Sequence, residues 1–155
     1  MVGLIAVLVA RVVVPSATPV PVEMTLCLLA VACAELIVSA FDPELAARLY
    51  PVFMNITMLL AFGVTLWKPP SMIERFARIR DPDLDARGVV YTRYVTMVWM
   101  AFFVVNGSIA LWTALHGTWL QWGAYNGGIS YALAGCLMGI EYIVRRMVRS
   151  RKSEV

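Results

Sequence analysis

YVTMVWMAFFVVNGSIALWTAL, residues 94–115, runs for 22 residues without a charged side chain. At about 1.5 Å per residue, an α-helix of that length crosses the ~30 Å hydrocarbon core of a bilayer. The rest of the chain points the same way. Of its 155 residues 61% are hydrophobic and 15% charged, and the mean hydropathy is +0.76. A soluble domain is about half apolar and a quarter charged. The composition therefore predicts an all-α, polytopic membrane bundle, with residues 1–155 forming one transmembrane domain.

Other spans lie on either side of this stretch. WGAYNGGISYALAGCLMGIEYIV (122–144) forms a hairpin with it across the uncharged connection HGTWLQ (116–121). Upstream, YPVFMNITMLLAFGVTLW (50–67) and MTLCLLAVACAELIVSAF (24–41) are 18 residues each, the short end of a spanning helix. VGLIAVLVARVVV (2–14) is shorter and carries Arg11. It reads either as a retained short helix or as a signal peptide ending near PSA. A signal peptide has basic residues before an unbroken apolar core, and here the only charge comes late, which favours the helix. Four full spans plus a short N-terminal helix are expected.

Between the second and third of these full spans lies the long charged stretch KPPSMIERFARIRDPDLDARGVVYTR (68–93), and a second basic cluster, RRMVRSRK, opens the tail 145–155. Because 94–115 and 122–144 form a hairpin, both clusters fall on one side, and the excess of lysine and arginine makes that side cytoplasmic. The segment DPELAAR (42–48) on the other side has one arginine against two acids. Trp67, Trp119 and Trp122 fall at span ends, where interfacial aromatics sit. Pro69-Pro70 stops the preceding helix. Ser71 and Glu74 then form a capping-box pattern, and Met72, Ile73, Phe76 and Ile79 recur at helical spacing with arginines between them. One amphipathic helix on the cytoplasmic surface is expected there. Arg75, Arg78, Arg80 and Arg93, with Arg145 and Arg146 from the tail, would form a basic surface facing anionic headgroups. The bland alternative is a topology anchor.

Within the spans, Glu35, Asn55, Asn106 and Asn126 fall in the outer half, with Asn55 and Asn126 about 6–8 Å below the boundary at ~1.5 Å per residue. Such groups are costly in lipid unless they face the bundle interior. They read as interhelical hydrogen-bond glue or as the lining of a substrate pocket. Gly123, Gly127, Gly135 and Gly139 make a stripe for close helix packing, within the chain or in an oligomer. Glu141 is expected to pair with Arg145 one turn on. Asp81, Asp83 and Asp85 alternate like the start of a calcium loop but lack its glycine, and read as a turn. Cys27, Cys33 and Cys136 have no metal-type spacing and the chain has one histidine, so no metal or cofactor is expected. No acid–base or nucleophile arrangement is evident, and no feature calls for nucleic acid.

The pieces YPVFMN, PPSMIERFAR, YTRYVTMVWMAFFVVNG, YNGGISY and EYIVRR, between Tyr50 and Arg146, resemble a family of uncharacterised bacterial inner-membrane proteins. Members are often encoded beside aryl-polyene (xanthomonadin-type) pigment and fatty-acyl biosynthesis genes. A weaker likeness runs to the septation-protein inner-membrane family. The resemblance implies an inner-membrane location with a cytoplasmic C-terminus, near acyl-carrier-protein chemistry. By its motifs it points to Asn55, Glu74, Arg75, Arg78, Tyr91, Arg93, Asn106, Asn126 and Glu141. The expected function is a non-catalytic accessory protein that docks acyl carrier proteins or acyl-chain enzymes at the membrane. The alternatives are a membrane enzyme or carrier acting on an acylated lipid, and a structural envelope or septation-type factor. A homo- or hetero-oligomer fits each of these.

Overall fold

The computed structural model describes residues 22–150, which are helical apart from short connections. The expected helix at 2–14 lies outside the described residues. In chain order the helices are α1 (Val22–Phe41), α2 (Pro43–Trp67), α3 (Met72–Arg80), α4 (Ala86–His116), α5 (Trp119–Ala124), a π-helical turn (Tyr125–Ile129) and α6 (Ser130–Ser150). Four stretches are long and apolar enough to cross a membrane: 24–41, α2, α4, and α5 through α6 to Arg146. The chain is a multi-pass helical membrane protein, and the short α3 lies at one end of the bundle. That end carries most of the arginines and is termed the basic end; the other is the far end.

Two helices start about two turns before the apolar runs suggest. The span expected at 50–67 begins at Pro43, where Asp42 Oδ1 accepts from the Leu45 amide at 2.9 Å and the proline occupies the first helical turn. The helix passes through Pro51 without ending. The segment expected as loop through residue 93 is already helical from Ala86. Asp85 caps that helix by accepting from the Gly88 amide at 3.0 Å. Asp85 thus ends the alternating acids of DPDLD as a helix cap. Both corrections have one cause: hydropathy marks the turns that lipid covers, whereas backbone hydrogen bonding continues through polar turns on either side.

The α2–α4 pair is the centre of the molecule, and its seam is built from small and hydroxyl-bearing residues. Ala46, Thr57 and Thr65 of α2 are buried, as are Thr92, Thr96, Gly107, Ala110, Thr113 and Ala114 of α4. Lipid tails are as apolar as leucine, so helices in a membrane associate by close backbone packing and hydrogen bonds rather than by burying large apolar side chains. The antiparallel register is clear from three levels. Thr65 and Thr96 receive successive amides of α3 at the basic end, Asn55 and Asn106 meet at the middle, and Arg48 and Ala114 at the far end. Phe62 packs edge-on to Phe103 between the first two levels, with centroids 5.2 Å apart. On the other side, α1 packs its basic-end turns against α2, with Met24 and Leu28 buried against Ala61.

The last span is set apart. In it the ordinary helix of α5 widens to a π-helical turn at YNGGI before α6 begins. Apart from Asn126, no described residue of α5 or the turn is fully buried, and the span from Trp119 to Arg146 buries none of its most apolar window inside the chain. A cysteine-free background with single cysteines at Asp83 or His116 tests the topology: the two positions should label from opposite sides of the membrane. Labelling of both from one side would refute it.

Candidate functional site

Two polar arrangements run through the bundle, one across its middle and one at its basic end. The first is a ladder of side-chain amides and hydroxyls. Asn55 Nδ2 donates to the Pro51 carbonyl at 2.7 Å, and its Oδ1 accepts from Asn106 Nδ2 at 3.1 Å. Asn106 Oδ1 in turn accepts from the Tyr125 hydroxyl at 2.9 Å. The next residue of the π turn, Asn126, donates through Nδ2 to Thr113 Oγ1 at 3.2 Å and to the Trp122 carbonyl at 3.0 Å. Tyr125 and Asn126 are neighbours in sequence yet reach α4 two turns apart, a pairing that the widened turn permits. π-Helical turns of this kind often mark functional positions.

Of the four intramembrane polar residues expected to face inward, Asn55, Asn106 and Asn126 do so. Asn55 and Asn106 share one depth, since they are bonded to each other. Glu35 does not join them: it sits on α1, partly exposed, and none of the ladder's bonds reaches it. Among the described residues, the buried contacts of α1 lie at its basic-end turns, with α2 and with Met72 at the start of α3, and Glu35 lies beyond them. Glu141 is also corrected. It forms no ion pair with Arg145, and its Oε1 is buried without a hydrogen-bond partner. Tyr91 of α4 lies within electrostatic reach of both. Arg146 leans over the Tyr142 ring, 6.0 Å from its centroid.

The second arrangement mounts α3 on the seam. Thr65 Oγ1, from α2, accepts from the Met72 amide at 2.9 Å, and Thr96 Oγ1, from α4, accepts from the Ile73 amide at 3.3 Å. Both threonines are wholly buried. The first amides of a helix have no partner within it, and here two seam hydroxyls supply one each. Ser71 and Glu74 close the expected capping box only loosely. Glu74 Oε2 accepts from the Ser71 amide at 3.4 Å, while the Ser71 hydroxyl makes no well-formed hydrogen bond. Glu74, itself buried, also holds Arg78 through Oε1 at 2.8 Å.

The arginines of this region divide into two sets. Arg75 Nε donates to the Pro70 carbonyl at 3.0 Å, Arg78 Nη1 to the Pro82 carbonyl at 3.0 Å, and Arg93 Nη1 to the Leu66 carbonyl at 3.3 Å, in the last turn of α2. Burial draws the Arg75 guanidinium below its ordinary value and the Glu74 carboxylate opposes that shift; it remains a cation at neutral pH. Arg75 and Arg78 tie α3 to the turns on either side of it, and Arg93 ties α4 to the end of α2. Arg80 is exposed and enters none of these bonds, and the same holds for Arg87 on the first turn of α4.

Among the residues that sequence reasoning passed over are Thr65, Thr96 and Arg48. Thr65 and Thr96 carried no signal beyond their presence in apolar helices. Arg48, read as part of a loop, clamps the far end. Its Nη1 donates to the carbonyls of Gly117 at 3.0 Å and Ala114 at 3.5 Å, at the C-terminus of α4 where a cation is favoured. Its guanidinium lies 4.2 Å from the Trp119 ring centroid, and its carbonyl accepts from Trp122 Nε1 at 2.9 Å. The available signal was a lone arginine across the bundle from two tryptophans.

The glycine stripe behaves differently from its expected role within the chain. A Cβ added at Gly123, Gly127, Gly135 or Gly139 would meet nothing within 4 Å, so these glycines pack against no other part of the described chain. The glycine that permits close approach is Gly107, where a Cβ would stand 3.0 Å from Asn55 Cβ.

Comparison with protein-family models, with curated proteins and with solved structures returns no match to this chain.

Two outcomes follow from the geometry. Gly107→Ala should lower the unfolding midpoint in detergent by pushing Asn55 off Asn106, a loss of about 1–2 kcal/mol at the scale of one intramembrane hydrogen bond plus lost packing, whereas Gly135→Ala should leave the monomer unchanged. Equal effects would contradict the placement of the seam. Thr65→Val should leave the Met72 amide buried without an acceptor, at about 1–3 kcal/mol. Hydrogen exchange should then rise in α3 while the amides of α2 and α4 stay protected.

Proposed function

We propose that this chain is a non-catalytic accessory protein of the bacterial inner membrane, with its C-terminus in the cytoplasm, that presents a rigid basic platform to acidic soluble partners. The observation that carries this reading is the mounting of α3. Its amino end is plugged by two buried hydroxyls from different spans, and Arg75 and Arg78 tie it to the turns on either side. Arg80 and Arg87 are thereby displayed from a fixed support. The excess of arginine at this end favours a cytoplasmic placement under the positive-inside rule.

Acyl carrier proteins, which are strongly acidic, and the acyl-chain enzymes that work with them fit this surface by charge. The family resemblance directs the choice towards aryl-polyene or fatty-acyl assembly. Electrostatic docking of this kind speeds encounter, suppresses wrong partners and weakens with salt. The ladder in the middle of the membrane supports the accessory reading over a catalytic one. Its groups are amides and hydroxyls, mostly bonded to one another, a set suited to holding helices together rather than to moving protons.

Arg75 and Arg78 are poor test positions, because reversing them would strip bonds that hold α3. Arg80→Glu combined with Arg87→Glu changes only displayed charge. Binding of an acidic carrier protein to the reconstituted double variant should fall by about tenfold or more at low salt, as expected when two docking charges are reversed, with the unfolding midpoint unchanged. Undiminished binding would sink the docking reading and leave the segment a topology anchor.

A further inference from the structure

A groove of about 490 Å³ runs along α2 beside α4 in the basic-end half of the bundle. Leu59, Gly63 and Val64 line it on α2 and Met100 on α4, and it ends at Trp67 and Lys68. Gly63 keeps it open, since a Cβ there would already stand 3.3 Å from the Met100 methyl. From Leu59 to Lys68 the helix rises about 13 Å at ~1.5 Å per residue, close to half of the ~30 Å hydrocarbon core. The groove therefore has the depth of the chains of one leaflet.

Its two ends differ in character. The deep end is wholly hydrocarbon. The shallow end carries the Lys68 ammonium beside Trp67, whose 88% exposure suits an aromatic at the headgroup boundary. Arg93 adds a second cation at that end. Its guanidinium bonds the Leu66 carbonyl, and it lies two turns from Met100 on the same stripe of α4. Hydrocarbon walls alone would accept any lipid chain. A lysine and an arginine together at headgroup depth select an anion.

We propose that this groove is a binding site for one anionic membrane lipid, with an acyl chain seated between Leu59 and Trp67 and the phosphate at the Lys68–Arg93 end. The site opens towards the bilayer and not towards soluble partners, so it does not depend on the docking reading of α3.

Native mass spectrometry of the full chain in mild detergent tests it, with phosphatidylglycerol and phosphatidylcholine of identical chains as probes. The wild type should retain one phosphatidylglycerol in preference to phosphatidylcholine. Lys68→Gln, whose unfolding midpoint is measured alongside, should reduce that preference about fivefold, the worth of one basic side chain near an anionic surface. Gly63→Leu, which fills the groove, should lose both lipids, and the Lys68→Gln arm decides alone if that variant does not fold. Equal retention of the two lipids by the wild type, or an unchanged preference in Lys68→Gln, overturns the proposal. Absence of bound lipid together with a dimer that Gly63→Leu converts to monomer also overturns it, and assigns the groove to a second copy of the chain.

Discussion

Close approach of α2 and α4 is the condition on which the other elements depend. Inside a bilayer neither helix gains by hiding apolar surface from its surroundings, because the surroundings are apolar too. What remains is contact between backbones and hydrogen bonds for which no water competes. Gly107, Ala110 and Ala114 bring α4 close to α2, and that proximity lets Asn55 reach Asn106. The same proximity sets Thr65 and Thr96 near enough to receive two successive amides of α3. α1 rests on the far side of α2, and α5 with the π turn rests on α4. A seam only slightly wider would undo the ladder and the mounting of α3 together.

The seam also accounts for the shape of the polar network. Each of its hydrogen bonds is modest, on the order of 0.6 kcal/mol on average in a membrane. Their effect is on register more than on stability. Asn55 bonded to Asn106 allows one sliding position of the antiparallel pair, and Arg48 at the far end and the two threonines at the basic end enforce the same one. Three independent constraints along one pair of helices leave the bundle little freedom to shift, which is what a platform for α3 requires.

Much of this was legible in the sequence, and the misses have physical causes. Uncharged runs located four spans because lipid tolerates almost no unpaired charge. Their ends were misplaced at Pro43 and Ala86 because a helix need not stop where the hydrocarbon does. Asn55, Asn106 and Asn126 were identified as inward-facing by the cost of an amide in lipid. The same argument failed for Glu35, since cost says that a group needs a partner without saying that its helix has a neighbour on that side. Gly107 escaped notice while the stripe of the last span attracted it. A periodic pattern shows which residues share a face, and only the arrangement of neighbours shows whether that face is occupied. Thr65 and Thr96 were invisible because a threonine in a span usually bonds back to its own helix, as both of these also do, to Phe62 and Thr92.

Arg48 has a bearing on the order in which the chain assembles. Its partners at Ala114, Gly117, Trp119 and Trp122 lie 66 to 74 residues further along. Until those residues are made, the guanidinium has only Glu44, one turn back and 3.7 Å away, as a partner within its own helix. The bond to Gly117 and the stacking on Trp119 come into being only when the α4–α5 corner arrives. The far-end clamp is accordingly complete only once the α4–α5 corner has been made. A single basic residue of the second helix thus joins two segments of chain that are about 70 residues apart in sequence.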